Sequence, residues 1–187
     1  MMSPRLSPLG LFRGHWKSLT DVRDHRGSGD WVTRSVLLLA ILCWPAGWLW
    51  DWSIRAPQPI LAGVSLMAGA LVGSFGQVNT LRLKLTDREG DDDAATQIDR
   101  DALDESAAHL LTSALLCAVT AVLLVLGINL STDTGSNPAV TGIWAAPAIA
   151  SGAYAVATFF IAVPRLYGAY VAVNNVSGRV NGYVRGR

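Results

Sequence analysis

Apolar stretches of about twenty residues alternate with polar segments along this chain. About 20 apolar residues in a helix cross roughly 30 Å of hydrocarbon. The pattern therefore predicts an all-α integral membrane protein with four transmembrane helices, over 31–50, 60–81, 107–130 and 143–163. The connection after the first span is short and carries Asp51, Arg55, Pro57 and Pro59. Brief turns of this kind join antiparallel neighbours, so the four spans are expected as two antiparallel hairpins.

The span ends carry their own markers. Trp31 opens span one, and Trp44, Trp48, Trp50 and Trp52 cluster at its far end. Indole rings favour the headgroup boundary, which places both ends of the span at an interface. Pro45 and Gly47 are expected to bend its outer end. Trp144 opens span four, and Pro164–Arg165, followed by Tyr167 and Tyr170, marks its other end. Residues 1–30 form a polar arm in which Leu9, Phe12, Trp16 and Leu19 recur at helical spacing among Arg13, His15 and Lys17. That mixture suits an amphipathic helix lying in the cytoplasmic interface against anionic lipid. The arm lacks the apolar core of a cleavable signal peptide, so none is expected. Residues 164–187 read as a basic tail.

Charge orients the picture. The chain holds 15 Lys and Arg. Under the four-span reading, all but Arg55 fall on one side: in the arm, in the central loop 82–106, or in the tail. Cytoplasmic loops collect Lys and Arg, so both termini are expected in the cytoplasm of a multi-pass cell-membrane protein. The overall balance is only +1, because acidic residues gather in the same central loop. Composition agrees with lipid immersion. Of 187 residues, 51% are hydrophobic and 16% charged, against roughly 25% charged in soluble domains. The scattered basic residues are accounted for by topology, so no nucleic-acid partner is expected. Cys43 and Cys117 fall within spans with no metal-ligand spacing around them and read as small buried hydrophobes.

Candidate chemistry is sparse. Ser65, Gly69 and Gly73 recur every fourth residue and share one face of span two, and Ala148 and Gly152 form a similar pair in span four. Small residues let helices approach closely in lipid, so these five are the expected helix-packing or oligomer face. The small faces of spans two and four are expected near the centre of the bundle. Gln77, Asn79 and His109 are candidates for a polar vestibule. His109 has Glu105 four residues earlier as a partner and heads a stripe with Ser113, Cys117 and Thr120. It reads as a structural interface histidine, with a proton-linked switch as the functional alternative. Asp91, Asp92 and Asp93 are suited to starting a helix and are the candidate docking residues for a partner. Their surroundings depart from a calcium-loop pattern, so no metal or other cofactor is expected. No charged residue falls at the middle of a span, which argues against an ion-coupled transporter. No spacing commits an acid, base or nucleophile, so no enzyme is expected. The sequence points to a non-catalytic interaction or accessory subunit whose partners are membrane lipid and a protein, or further copies of itself. The competing reading is a homo-oligomeric pore or membrane-perturbing effector.

Overall fold

The computed structural model describes residues 9–18, 31–87, 94–130 and 139–174. In chain order they form α1 (Leu9–Ser18), α2 (Trp31–Leu49), α3 (Pro57–Asp87), α4 (Ala94–Leu130) and α5 (Gly142–Val173). No strand occurs among the described residues. Ile54 and Val140 form an isolated antiparallel bridge, closed by Ile54 N–H donating to Val140 at 2.8 Å and the reverse bond at 3.0 Å. Three stretches are long and apolar enough to cross a membrane: Pro57–Lys84, Leu103–Leu130 and Gly142–Gly168. α2 spans 19 residues, Trp31–Leu49, and carries the apolar stretch Arg34–Leu49.

Polarity is distributed as a hydrocarbon solvent selects. Leu39, Leu42 and Trp48 on α2, Leu66 and Val72 on α3, and Phe160 on α5 are exposed. Ser106, His109, Thr112, Ser113, Thr120 and Thr158 are buried. Several hydroxyls are satisfied within their own helix: Ser74 donates to the Ala70 carbonyl, Thr80 to Gly76 and Thr158 to Tyr154. Such back-bonding lets a polar side chain sit where no water is available.

α4 and α5 are the central pair. On α4, Leu103, Leu110, Cys117 and Leu124 recur every seven residues, and all are buried. Val64, Leu71 and Val78 repeat with the same spacing on α3 and join the first three in one cluster, with Ala155 and Ala162 from α5. A sustained seven-residue repeat keeps one seam facing its neighbour, the geometry of left-handed helix packing. A second seven-residue row, Ser113, Thr120 and Gly127, meets α5 closely. Ser113 donates to the Ala155 carbonyl at 2.9 Å, and the Thr120 and Ser151 hydroxyls lie 2.8 Å apart. A Cβ on Gly127 would collide with Val140 and reach Trp144 Cβ at 3.1 Å. Only glycine fits there.

Three expectations change. First, spans one and two are not packed as a hairpin: α2 lies against α5, while α3 lies against α4. The Ile54–Val140 bridge pins the 50–56 connection to the start of α5, so the chain crosses that end of the bundle instead of doubling back. Second, the small face of α3 is not central. Ser65, Gly69 and Gly73 are exposed, and a Cβ on either glycine would meet nothing within 4 Å. The bulkier Val64, Leu71 and Val78 supply more dispersion contacts and take the seam against α4. Third, α5 runs through Pro164 to Val173. A proline removes one intrahelical bond but need not end a helix when its neighbours hold.

Candidate functional site

α1 is the element whose position the sequence least foretells. It forms as a helix and docks on α4, and the side chain it buries most deeply is a histidine. Phe12 and Trp16 stand one turn apart and remain partly exposed, whereas His15 is 1% exposed. Its Nδ1 lies 2.7 Å from Nδ1 of the fully buried His109, with the rings edge to face and centroids 4.7 Å apart. On its other side, His15 Nε2 lies 3.1 Å from the Tyr154 hydroxyl. His109 Nε2 in turn looks toward Glu105 Oε1 at 3.8 Å, one turn earlier on α4.

These distances select a direction for the protons. An Nδ1-to-Nδ1 hydrogen bond needs one ring to donate and the other to accept. If His109 donated to His15, its bare Nε2 would face the carboxylate, two acceptors together. The favourable arrangement is the opposite one, assigned here from partner chemistry. The Tyr154 hydroxyl donates to His15 Nε2, His15 Nδ1–H donates to His109 Nδ1, and His109 Nε2–H points at Glu105. Both rings are then neutral, and each proton faces an acceptor. Helix position shows where this string lies. Tyr154 is 12 residues into the Gly142–Gly168 stretch (142 to 154), about 18 Å along the axis at about 1.5 Å per residue. His109 is 6 residues into Leu103–Leu130 (103 to 109), about 9 Å. The string thus runs from the middle of one apolar stretch to Glu105, whose side chain is 21% exposed.

Beside the string lies a groove of about 850 Å³. α5 contributes Pro147, Ala150, Ser151 and Tyr154, α4 contributes Leu116, Val119 and Leu123, α2 contributes Ile41 and Trp44, and α1 contributes Phe12, Arg13, His15 and Trp16. It exists because α2 rests on α5 and leaves α4's flank to α1. Ser151 and Tyr154 have their hydroxyls engaged, Ser151 with the Pro147 carbonyl at 2.8 Å and with Thr120. Arg13 is exposed, and among the described residues no acidic side chain pairs with it. The volume, the apolar walls and the few polar groups are those of a small-molecule site.

The residues singled out from sequence are dispersed. Ala148 and Gly152 lie on the α4–α5 interface: Ala148 is buried, and a Cβ on Gly152 would sit 3.5 Å from Thr120 Cγ2. Ser65, Gly69 and Gly73 lie on the outer face of α3. Gln77 and Asn79 are exposed on α3, whereas His109 is buried against α1, so these three are not brought together in one chain. Asp91, Asp92 and Asp93 lie outside the described residues, directly before the start of α4. In the stripe below His109, Ser113 and Thr120 bond toward α5 while Cys117 joins the α3–α4 cluster. At one end of the bilayer-length stretches, Arg82 clasps Asp104 through two contacts, of 2.6 and 2.9 Å, tying α3 to α4. His15, Tyr154 and Arg13 were not anticipated as site residues. His15 reaches the apolar region from the arm and meets His109 and Tyr154 of the spans there, and no periodicity announces a contact across 94 positions.

No protein-family model matches the chain, and no characterised protein or solved structure resembles it at a significant level.

Proposed function

We propose that this protein is a non-catalytic interaction subunit of the cell membrane, crossing it four times with both termini in the cytoplasm. The observation that carries the reading is the state of α3. Only 11% of its apolar window is buried within the chain, against 33% for α4 and 28% for α5. Its outward face presents Ser65, Gly69 and Gly73, with Gln77 one turn further on. Small residues followed by an amide are what a second transmembrane helix packs and hydrogen-bonds against in lipid. On the cytoplasmic side, Asp91, Asp92 and Asp93 and the basic termini supply charge for a partner or for lipid headgroups.

The test is the mass and composition of the nanodisc-embedded particle. Wild type is expected to contain more than one chain. Gly69→Leu is expected to release the partner while the fold persists, because Gly69 is exposed and a Cβ there meets nothing within 4 Å. Neutralising Asp91, Asp92 and Asp93 is expected to loosen a partner that docks from the cytoplasm. A lone chain with nothing bound would overturn the reading. A homo-oligomer that leaks ions would replace it with the oligomeric pore.

A further inference from the structure

We infer that the groove between α2 and α4 is a binding site for a long-chain carboxylic acid, its chain against α4 and α5 and its carboxylate on Arg13. The walls set the chain. Ile41, Leu116, Val119, Leu123, Pro147 and Ala150 offer no hydrogen bond from a side chain, so the bulk of an occupant must be apolar. The rim sets the head. Ser151 bonds within its helix and to Thr120, while Tyr154 bonds to His15. Arg13 alone among the polar lining residues has a charge and no acidic partner among the described residues. A guanidinium beside an apolar cavity is stabilised by one anionic group that accepts its fork of N–H donors.

A carboxylate and a phosphodiester both satisfy that fork, and the surroundings choose between them. Tyr154 and Leu116, both lining the groove, lie near the middle of their apolar stretches. A head group that travels to that depth does so at far lower cost if it can shed its charge on the way. A carboxylic acid can, by carrying its proton; a phosphodiester cannot. A small head also suits a groove that offers so little polar wall.

The proton-bonded string gives the acid's proton a destination. The carboxylic O–H passes its proton to the Tyr154 oxygen as the Tyr154 hydroxyl proton moves to His15 Nε2. His15 Nδ1–H then moves to His109 Nδ1, and His109 Nε2–H moves to the Glu105 carboxylate once that side chain closes from 3.8 Å to hydrogen-bond distance. One O–H bond is broken in the acid and one is formed at Glu105. No electron changes hands, and the new carboxylate rests on Arg13. Glu105, being partly exposed, returns the proton to water.

The experiment is photo-crosslinking of the full chain in phosphatidylcholine vesicles with a diazirine-bearing palmitate, followed by peptide mapping. Labels are expected on α4 between Leu116 and Leu123 and on α5 between Pro147 and Tyr154. Unlabelled palmitate should remove them, and methyl palmitate should not. Arg13→Gln is expected to reduce this labelling about tenfold, the scale of one charge-assisted hydrogen bond. Ala150→Trp, which fills the groove from α5, is expected to abolish it while α2's lipid-facing Leu39 and Leu42 stay labelled. If Ala150→Trp fails to fold, the Arg13→Gln and methyl ester results decide alone. Three results would overturn the inference. They are equal competition by the methyl ester, equal groove labelling by a diazirine phosphatidylglycerol, or label confined to the lipid-facing surface. The last would also show that the groove is filled by protein, from this chain or a second copy.

Discussion

His15 lies on an arm that carries Arg13 and Lys17 among exposed aromatics, yet its ring is held between two helices of the apolar bundle. The cause is local. A neutral imidazole has one donor and one acceptor on opposite sides, and α4 and α5 present one suitable atom each. Removing the ring takes away the 2.7 Å hydrogen bond to buried His109 and the bond from Tyr154, and losing a buried hydrogen bond costs about 1–3 kcal/mol. His15→Ala is therefore expected to undock α1. Hydrogen exchange in nanodiscs should show the amides of Leu9–Ser18 exchanging about ten- to hundredfold faster, since about 1.4 kcal/mol corresponds to a tenfold change. The amides of α4 should stay slow. Phe12→Ala, at a half-exposed position, is expected to leave α1 docked. Unchanged α1 exchange in His15→Ala would mean that the aromatic pair, and not the histidine, holds the helix.

The elements divide by how much of them the sequence displays. Length and apolar run place the apolar stretches of α3, α4 and α5 within about five residues, although α4 itself begins at Ala94 and α5 runs on to Val173, and the same runs anticipate α2. The partners of these helices are less legible. Ser65, Gly69 and Gly73 look like a packing face from spacing alone, and so do Ala148 and Gly152. Only the second pair lies against another helix of this chain. What separates them is the competing seam on the same helix: Val64, Leu71 and Val78 offer α4 a larger apolar surface than α3's small face does. Position, not residue type, thus decides the cost of adding a methyl group. Gly127→Ala is expected to lower the thermal midpoint of the detergent-solubilised chain, because the new Cβ meets Val140 and Trp144 and overpacking costs about 1–3 kcal/mol. Gly69→Ala, with nothing within 4 Å, is expected to be neutral or slightly stabilising, as alanine favours a helix by up to about 1 kcal/mol. Equal midpoints for the two variants would show that the Val140 clasp yields without cost.

At the scale of the molecule, the Ile54–Val140 bridge does what no sequence pattern announces: it fixes the connections on either side of it at one end of the bundle. The end of α3 and the start of α4 therefore lie at the opposite end, where Arg82 meets Asp104. In the proposed orientation, that opposite end faces the cytoplasm. The side of the N-terminus then hangs on α2 alone. That helix runs from Trp31 to Leu49, 19 residues, close to the roughly 20 that cross a bilayer, and it carries Arg34 near its start. Snorkelling of Arg34 to the interface lets the helix cross at modest cost. If α2 crosses, Ser3 and Ser136 lie on opposite sides; if it does not, they lie on the same side. In a background with Cys43 and Cys117 replaced by alanine, Ser136→Cys is expected to react with a membrane-impermeant maleimide in intact cells. Ser3→Cys is expected to react only after permeabilisation. Reaction of both from outside would leave three spans, with α2 lying in the interface. Reaction of Ser3→Cys alone would keep four spans and invert the molecule, against its charge.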